Sequence, residues 1–283
     1  MRRAFSLIEL LVVVAIIGVL LGILLPVLGK ARQCVLITGE LSAGRQFAAG
    51  LAMYSNDYDG AVMPGFASAS MVASGTVVAT NDRGSRLAGL EAQRYPWRLM
   101  PFIENEIDLL YRDRRLMQEQ LAGATYDYAA SVGPRFGMNQ AFVGGSGDAD
   151  GTGFAFHSSP AIRARTEARW PRGWFLSRVA DTARPADLIA FASASGASPI
   201  NGLAIDGFYR VTPPSFIRRM WSTSKPNESS PPTATGNVSF RFAGRTVGAM
   251  LDGHAQTLSW EEAQDMRRWA PRADSPSWTL PPL

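Results

Sequence analysis

The chain has 283 residues, a formal net charge of +4 and one cysteine. A single thiol excludes an intramolecular disulfide framework. The excess of basic residues is modest and the arginines are scattered along the chain, so the composition predicts no nucleic-acid partner. The residues after position 57 are numerous enough to form one sizeable hydrophobic core.

Residues 5–29 form an apolar segment that follows a short basic sequence at positions 1–4. From Leu10 to Leu28 no residue is charged, and a helix of this length spans roughly 28 Å, close to the hydrocarbon thickness of a bilayer. No other stretch approaches the ~18 consecutive apolar residues that cross a membrane. The sequence therefore predicts one transmembrane helix over residues 5–29.

One carboxylate, Glu9, lies near the start of this segment. A carboxylate in apolar surroundings costs on the order of a few kcal/mol unless it is protonated, reaches water or pairs with a cation. Cleavage between Ala4 and Phe5 would create such a cation, the new α-amine. Pairing between Glu9 of one molecule and the amine of a neighbour would fix the axial stagger between subunits, so the segment is predicted to direct assembly.

The sequence AFSLIEL at positions 4–10, with the later Gly18 and Pro26, resembles the N-terminal cleavage and methylation signal of type IV pilins and type II secretion pseudopilins. The resemblance implies that a membrane peptidase cleaves before Phe5 and methylates its amine, which makes Glu9 the fifth residue of the mature chain. Gly18 and Pro26 occupy the positions of the family's small residue and helix-loosening proline.

Two other interpretations of the segment are an ordinary signal peptide and a plain single-pass anchor. An ordinary signal peptide has an uncharged apolar core of about 7–15 residues and a small-residue cleavage site, whereas this segment is longer, contains Glu9 and continues into 30–33 without such a site. A plain single-pass anchor stays open as an alternative. The pilin signal usually has Gly before the cleavage site, where this chain has Ala4; since Ala is the smallest replacement, processing is still expected.

The resemblance also implies a location and partners. Arg2 and Arg3 precede the segment and Lys30 and Arg32 follow it, so the positive-inside rule does not decide the orientation. The family implies a single pass through the inner membrane with the N-terminus in the cytoplasm and the head outside. The implied partners are a prepilin peptidase/methyltransferase, other pilin or pseudopilin subunits, an inner-membrane assembly platform and membrane lipid.

From position 30 to position 57 the apolar pattern becomes periodic and predicts an amphipathic helical stem that continues the membrane helix. The apolar positions share one helical face: Cys34, Ile37, Leu41, Ala48, Leu51 and Tyr54 or its neighbour Ser55. Cys34 is predicted to be a small buried apolar residue. Gly39, Gly44 and Gly50 each weaken the helix by up to about 1 kcal/mol, so packing on the head is expected to compensate.

The remaining residues, 58–283, predict one α+β head. The predicted elements are a short strand at 76–79, a helix at 107–120, strands at 126–130, 135–139 and 188–192, a polar loop at 223–236, and a hairpin of 246–251 with 254–258 around the two-residue turn Asp252-Gly253. Ser259 and Glu262 form a predicted capping box that opens a helix to about Trp269.

The assembled prediction is a leader at 1–4, a transmembrane helix at 5–29, a stem at 30–57 and a head at 58–283. By resemblance to pilins, the fold class is α+β, with the long N-terminal helix packed on an antiparallel sheet. Three short motifs also resemble a subgroup of large pseudopilin-like proteins: YxNDYxG at 54–60, GMN at 137–139 and LDGH at 251–254.

Nothing in the head predicts catalysis. The two histidines, His157 and His254, lie outside any recognised catalytic signature. Asp148 and Asp150 could begin a calcium loop, but no bidentate Glu follows at the required distance, so a flexible loop without metal or cofactor is predicted. The predicted function is a structural subunit of a pilus-like or pseudopilus fibre; the alternative is a membrane-tethered extracytoplasmic binding module.

Overall fold

The structure is a computed structural model that describes residues 7–112, 125–146, 168, 174–198, 202, 204–227 and 229–280. The chain divides into two compact units, Met1–Gly39 and Glu40–Leu283. One helix, α1, runs from Leu7 to Asp57 and supplies residues to both units. We call its residues 40–57 the docked segment, because this part of α1 packs on the sheet of the second unit.

The sheet of the second unit has four antiparallel strands in the order β1-β2-β5-β6. A separate two-stranded sheet pairs β3 with β4. The strands are β1 (Phe136–Met138), β2 (Ile189–Ser193), β3 (Gly196–Ala197), β4 (Ala204–Ile205), β5 (Thr246–Met250) and β6 (Ala255–Leu258). β1, β2 and β5 are buried along their whole length. A long helix packed on an antiparallel sheet confirms the predicted α+β, pilin-like fold class.

The second unit also contains short helices. They are α2 (Ala69–Ala73), α3 (Gly89–Gln93), α4 (Pro96–Leu99), α5 (Ile107–Leu110), α6 (Tyr126–Val132) and α7 (Trp260–Ala263). Turns of 3₁₀ helix lie at Met100–Ile103, Val179–Asp181, Pro232–Thr235 and Met266–Arg268. Of the predicted helix at 107–120, the structure describes α5 and the two residues after it; 113–120 lie outside the described residues.

Two strand predictions are wrong. Residues 126–130 belong to helix α6, because Tyr126, Ala129 and Ala130 share a helical spacing and all three are buried; the alternation of tyrosines within the segment suggested a strand. Residues 76–79 form no strand, and the β-type pairing that the described residues show beside them is the single bridge between Thr80 and Arg86.

The C-terminal hairpin forms as predicted, but its turn is longer than two residues. The Gly253 amide donates to the Met250 carbonyl at 3.1 Å, and the Met250 amide donates to the His254 carbonyl at 2.8 Å. Only Gly253 in the turn has a positive φ, +102°, so Asp252 does not adopt the left-handed conformation that a two-residue turn of the predicted kind needs. This is the pattern of a three-residue hairpin loop closed by a glycine bulge.

The predicted capping box is confirmed: Ser259 Oγ accepts from the Glu262 amide at 3.2 Å, and the Glu262 carboxylate accepts from the Ser259 amide at 2.7 Å. The helix that follows is shorter than predicted. α7 ends at Ala263, and the Asp265 side chain then caps a new 3₁₀ turn that leads to the buried Trp269.

The docked segment supplies the centre of the head's core. The Phe47 ring is fully buried, with its centroid 5.0 Å from that of Phe136 in β1 and 5.5 Å from that of Phe191 in β2. The buried residues of α1 are Glu40, Ala43, Gly44, Phe47, Ala48, Gly50, Leu51, Tyr54 and Ser55. The predicted apolar face is therefore correct from Ala48 onward.

The prediction that Cys34 is buried is wrong, because its side chain is exposed in this chain. Ile37 and Leu41, on the same predicted face, are partly exposed, and burial along α1 begins only at Glu40. The apolar periodicity thus starts before the segment that the head covers.

Two glycines of the docked segment allow close approach. A Cβ on Gly50 would lie 2.8 Å from Ile103 Cγ2, and one on Gly44 would lie 3.2 Å from Ala255 Cβ. A Cβ on Gly39 would meet nothing within 4 Å. Close packing at positions 44 and 50 therefore compensates for the low helix propensity of glycine.

We expect Gly50→Ala to lower the free energy of unfolding by about 1–3 kcal/mol, because the added methyl forces Ile103 and Leu99 to move in a packed core. Denaturant unfolding of the full chain in detergent, followed by tryptophan fluorescence, measures the effect. The matched control Gly39→Ala should leave the midpoint unchanged or raise it, because Ala is the better helix former. Equal losses in both variants would refute the packing argument.

Candidate functional site

The first part of α1 presents a nearly continuous apolar surface to its surroundings. Among the described residues, α1 is the one helix long and apolar enough to cross a membrane. Its exposed large apolar side chains begin with Leu7, 80 % exposed, and continue to Leu36. Because large exposed apolar surfaces mark contacts with a membrane or with partner proteins, this helix is the candidate functional surface.

Glu9 lies in the first turn of α1, among the exposed side chains of Leu7, Ile8 and Leu10. An acidic residue in the first turn interacts favourably with the positive end of the helix dipole. Ala4 and Phe5, the predicted cleavage and methylation residues, lie outside the described residues.

Gly18 and Pro26 lie in the interior of this helix, which continues without a break through Pro26. A Cβ on Gly18 or on Gly22 would meet nothing within 4 Å, so neither glycine is required by packing within the chain. Pro26 has no amide hydrogen to donate to the Gly22 carbonyl one turn earlier. Position 22 thus combines poor helix propensity with a missing hydrogen bond, which makes it a weak point of the helix.

The three short motifs of the head have structural explanations. In YxNDYxG, Tyr54 and Tyr58 stack with centroids 4.3 Å apart. The Gly60 amide donates to the Ser55 carbonyl at 2.7 Å, with Asp59 and Gly60 at positive φ. This bond closes the end of α1 in the Schellman manner. Burial raises the pKa of the Tyr54 hydroxyl.

In GMN, Gly137 allows another segment to cross β1, since a Cβ there would lie 2.6 Å from the Arg210 carbonyl carbon. Asn139 Nδ2 donates to the carbonyls of Ile189 and Trp269, at 3.0 and 2.9 Å. It therefore links β2 to the C-terminal segment.

In LDGH, the Gly253 bulge closes the hairpin and His254 Nδ1 lies 2.6 Å from Asp252 Oδ1 at the exposed turn.

The described residues contain no cluster of three or more His, Cys, Asp or Glu side chains able to hold a metal ion. His157, Asp148 and Asp150 lie outside the described residues. His254 contacts Asp252 within its own turn. Among the described tryptophans, all but the partly exposed Trp278 are buried in the core, so they present no open aromatic groove to a ligand.

Sequence reasoning missed Glu40, which is only 3 % exposed and lies on the buried face of the docked segment. Its signal was present: Glu40 follows Ile37 by three positions and precedes Phe47 by seven, which places it on the predicted apolar face. Periodicity alone does not identify a buried glutamate, because glutamates are seldom buried unless they are paired.

We expect a chain that begins at Gly39 to stay monomeric in water without detergent, because the truncation removes the exposed apolar side chains from Leu7 to Leu36 and leaves the core intact. Light scattering after size exclusion measures the state, and circular dichroism checks the fold. The full chain, as the comparison, should require detergent. A truncated chain that is folded and still aggregates would place the apolar contact surface elsewhere.

Comparison with known proteins assigns the N-terminal segment. The model of the prokaryotic N-terminal methylation motif matches residues 1–25. No curated protein and no solved structure matches the chain. The motif supports a type IV pilin-like precursor that a prepilin peptidase processes and that assembles with other pilin subunits. With the long apolar helix, it supports a chain anchored in a membrane with its head outside.

Proposed function

We propose that the chain is a structural subunit of a type IV pilus-like or type II secretion pseudopilus fibre, held in the inner membrane until assembly. In this proposal a prepilin peptidase cleaves between Ala4 and Phe5 and methylates the Phe5 amine. An inner-membrane assembly platform then brings the subunit together with others through α1. The observation that carries the proposal is the methylation motif at the start of an uncovered apolar helix.

The apolar surface of α1 supports this function because it must be shielded from water both before and after assembly. Fully burying one Val, Leu or Ile side chain contributes about 1.5–3 kcal/mol, and α1 exposes such residues on every side between Leu7 and Leu28. Lipid covers them while the helix lies in a bilayer. Helices of neighbouring subunits can cover them in a fibre without a large change in polarity, so transfer between the two states is feasible.

Glu9 supplies what apolar contacts lack, which is a direction. Burial of apolar surface is non-directional and would allow helices to slide along each other. A charge pair between Glu9 of one subunit and the Phe5 amine of the next would be strong in apolar surroundings. In our proposal this pair sets the register of the fibre, and the weak point at Gly22 and Pro26 lets the helix adapt between bilayer and fibre.

The proposal predicts proteolytic processing at one defined peptide bond. The intact mass and N-terminal peptide of protein extracted from membranes should correspond to a chain that begins with N-methylated Phe5. Ala4→Gly, which restores the residue usual for the signal, should give an equal or larger processed fraction. An unprocessed N-terminus in both chains would point to a retained anchor, and cleavage beyond residue 25 would point to an ordinary secreted protein.

The proposal also predicts that Glu9 sets the register between subunits. Glu9→Ala should leave insertion and processing intact but strongly reduce fibre formation, measured by shearing and by electron microscopy. Glu9→Gln should behave similarly, because it keeps the size and loses the charge. Val12→Ala, one turn later, is the control and should assemble nearly as the parent does. If Glu9→Ala formed as much fibre as the parent, the pairing argument would be wrong.

A further inference from the structure

The docked segment of α1 begins with a charged residue. Glu40 is the first buried residue of the helix, and Thr38 and Gly39 before it are exposed. None of the other buried residues of the segment is charged. A buried carboxylate at the edge of an apolar contact is costly unless it is paired, so its partners are informative.

Glu40 Oε1 accepts a hydrogen bond from Ser193 Oγ at 2.8 Å and lies 3.8 Å from Arg241 Nη2. Ser193 is the last residue of β2. Arg241 is itself fixed, because its Nη2 donates to the Ala194 carbonyl at 2.7 Å and its Nη1 lies 3.0 Å from Asp206 Oδ1. Glu40 therefore connects the helix to the end of a central strand and to the segment that carries Arg241.

The groups that face Glu40 are mainly positive. Burial lowers the pKa of the Arg241 guanidinium, and Glu40 and Asp206 raise it in part. Burial likewise lowers the pKa of Arg135, and Glu40 again opposes the shift. Arg112 lies in the same cluster, 3.4 Å from Asp206. Three guanidinium groups thus share two carboxylates, and removal of Glu40 would leave the partly buried Arg135 and Arg241 with less compensating charge.

The contact of Glu40 lies at the end of the docked segment where burial begins, and this position gives it a specific role. The rest of the docked segment is held by apolar packing around Phe47 and Leu51, which is strong but non-directional. Separation of the helix from the sheet would begin at the end where burial begins, which is Glu40. A charged hydrogen-bonded contact at that end resists both sliding and lifting, because it has a fixed geometry.

We propose that Glu40, Ser193 and Arg241 form a latch that holds the start of the docked segment on the sheet, so that a pull on α1 moves the head with it. All three residues of the latch lie in the second unit, Glu40–Leu283, so the latch itself does not depend on the proposed function. Only the source of the pull rests on the proposed function, in which assembly draws the subunit by its helix.

The test is hydrogen exchange by mass spectrometry on the full chain in detergent micelles. In Glu40→Gln, which keeps the Ser193 hydrogen bond but loses the charge, amides between Leu41 and Ala48 should exchange about tenfold faster through local opening. Arg241→Gln should have a similar effect. Amides of helix α6 should keep the parent's rate, which separates loss of the latch from unfolding of the head.

Two further variants distinguish loss of the latch from a general effect of changing charge. Asp57→Asn removes an exposed carboxylate from the same helix and should not speed exchange at Leu41–Ala48. In the double variant of Glu40→Gln and Arg241→Gln, these amides should exchange no faster than in the more severe single variant, because the two residues act on each other. Unchanged exchange in both single variants, or effects that simply add, would overturn the latch.

The role of the latch in assembly is tested separately, by measuring processing and fibre yield in cells. Latch variants should carry N-methylated Phe5 at the parent's level and yield fewer fibres. Parental fibre yield in variants with fast exchange would overturn the role of the latch in bearing a pull. A parent chain that is not processed and forms no fibre would instead refute the proposed function, and the exchange result would still decide whether the latch exists.

Discussion

The burial of Phe47 against the central strands is the contact on which the head depends. Its ring lies against Phe136 and Phe191, so one side chain of α1 joins two neighbouring strands. The helix can approach the strands this closely because Gly44 carries no side chain, and Gly50 allows the same close approach to Leu99 and Ile103. The head is therefore not a separate body to which a helix is attached; the docked segment of α1 is part of its core.

The two parts of α1 differ in which of their faces are apolar and which are buried. From Leu7 to Leu28 the apolar residues surround the helix and are exposed in the chain, which suits lipid or other helices on every side. From Glu40 onward one face is buried and residues such as Arg45 and Gln46 remain exposed on the other. Regular backbone hydrogen bonding allows a single helix to serve both surroundings.

The short motifs of the head show how local chemistry stabilises a sheet this small. Asn139 satisfies two carbonyls from distant segments, and Gly137 makes room for the backbone at Arg210. Buried polar groups of this kind are costly when unpaired and specific when paired. Packing and hydrogen bonding are therefore sufficient to explain these motifs.

The sequence by itself determined the elements whose signals are local: the apolar helix with Glu9, the hairpin strands around Gly253, and the capping box of Ser259 and Glu262. Each depends on residues close in the chain, so propensity and periodicity predicted it. The tertiary structure decided the rest. It made 126–130 a helix, left Cys34 exposed and buried Glu40, because burial depends on which distant strands and side chains cover a position, and periodicity reports only which residues share a face.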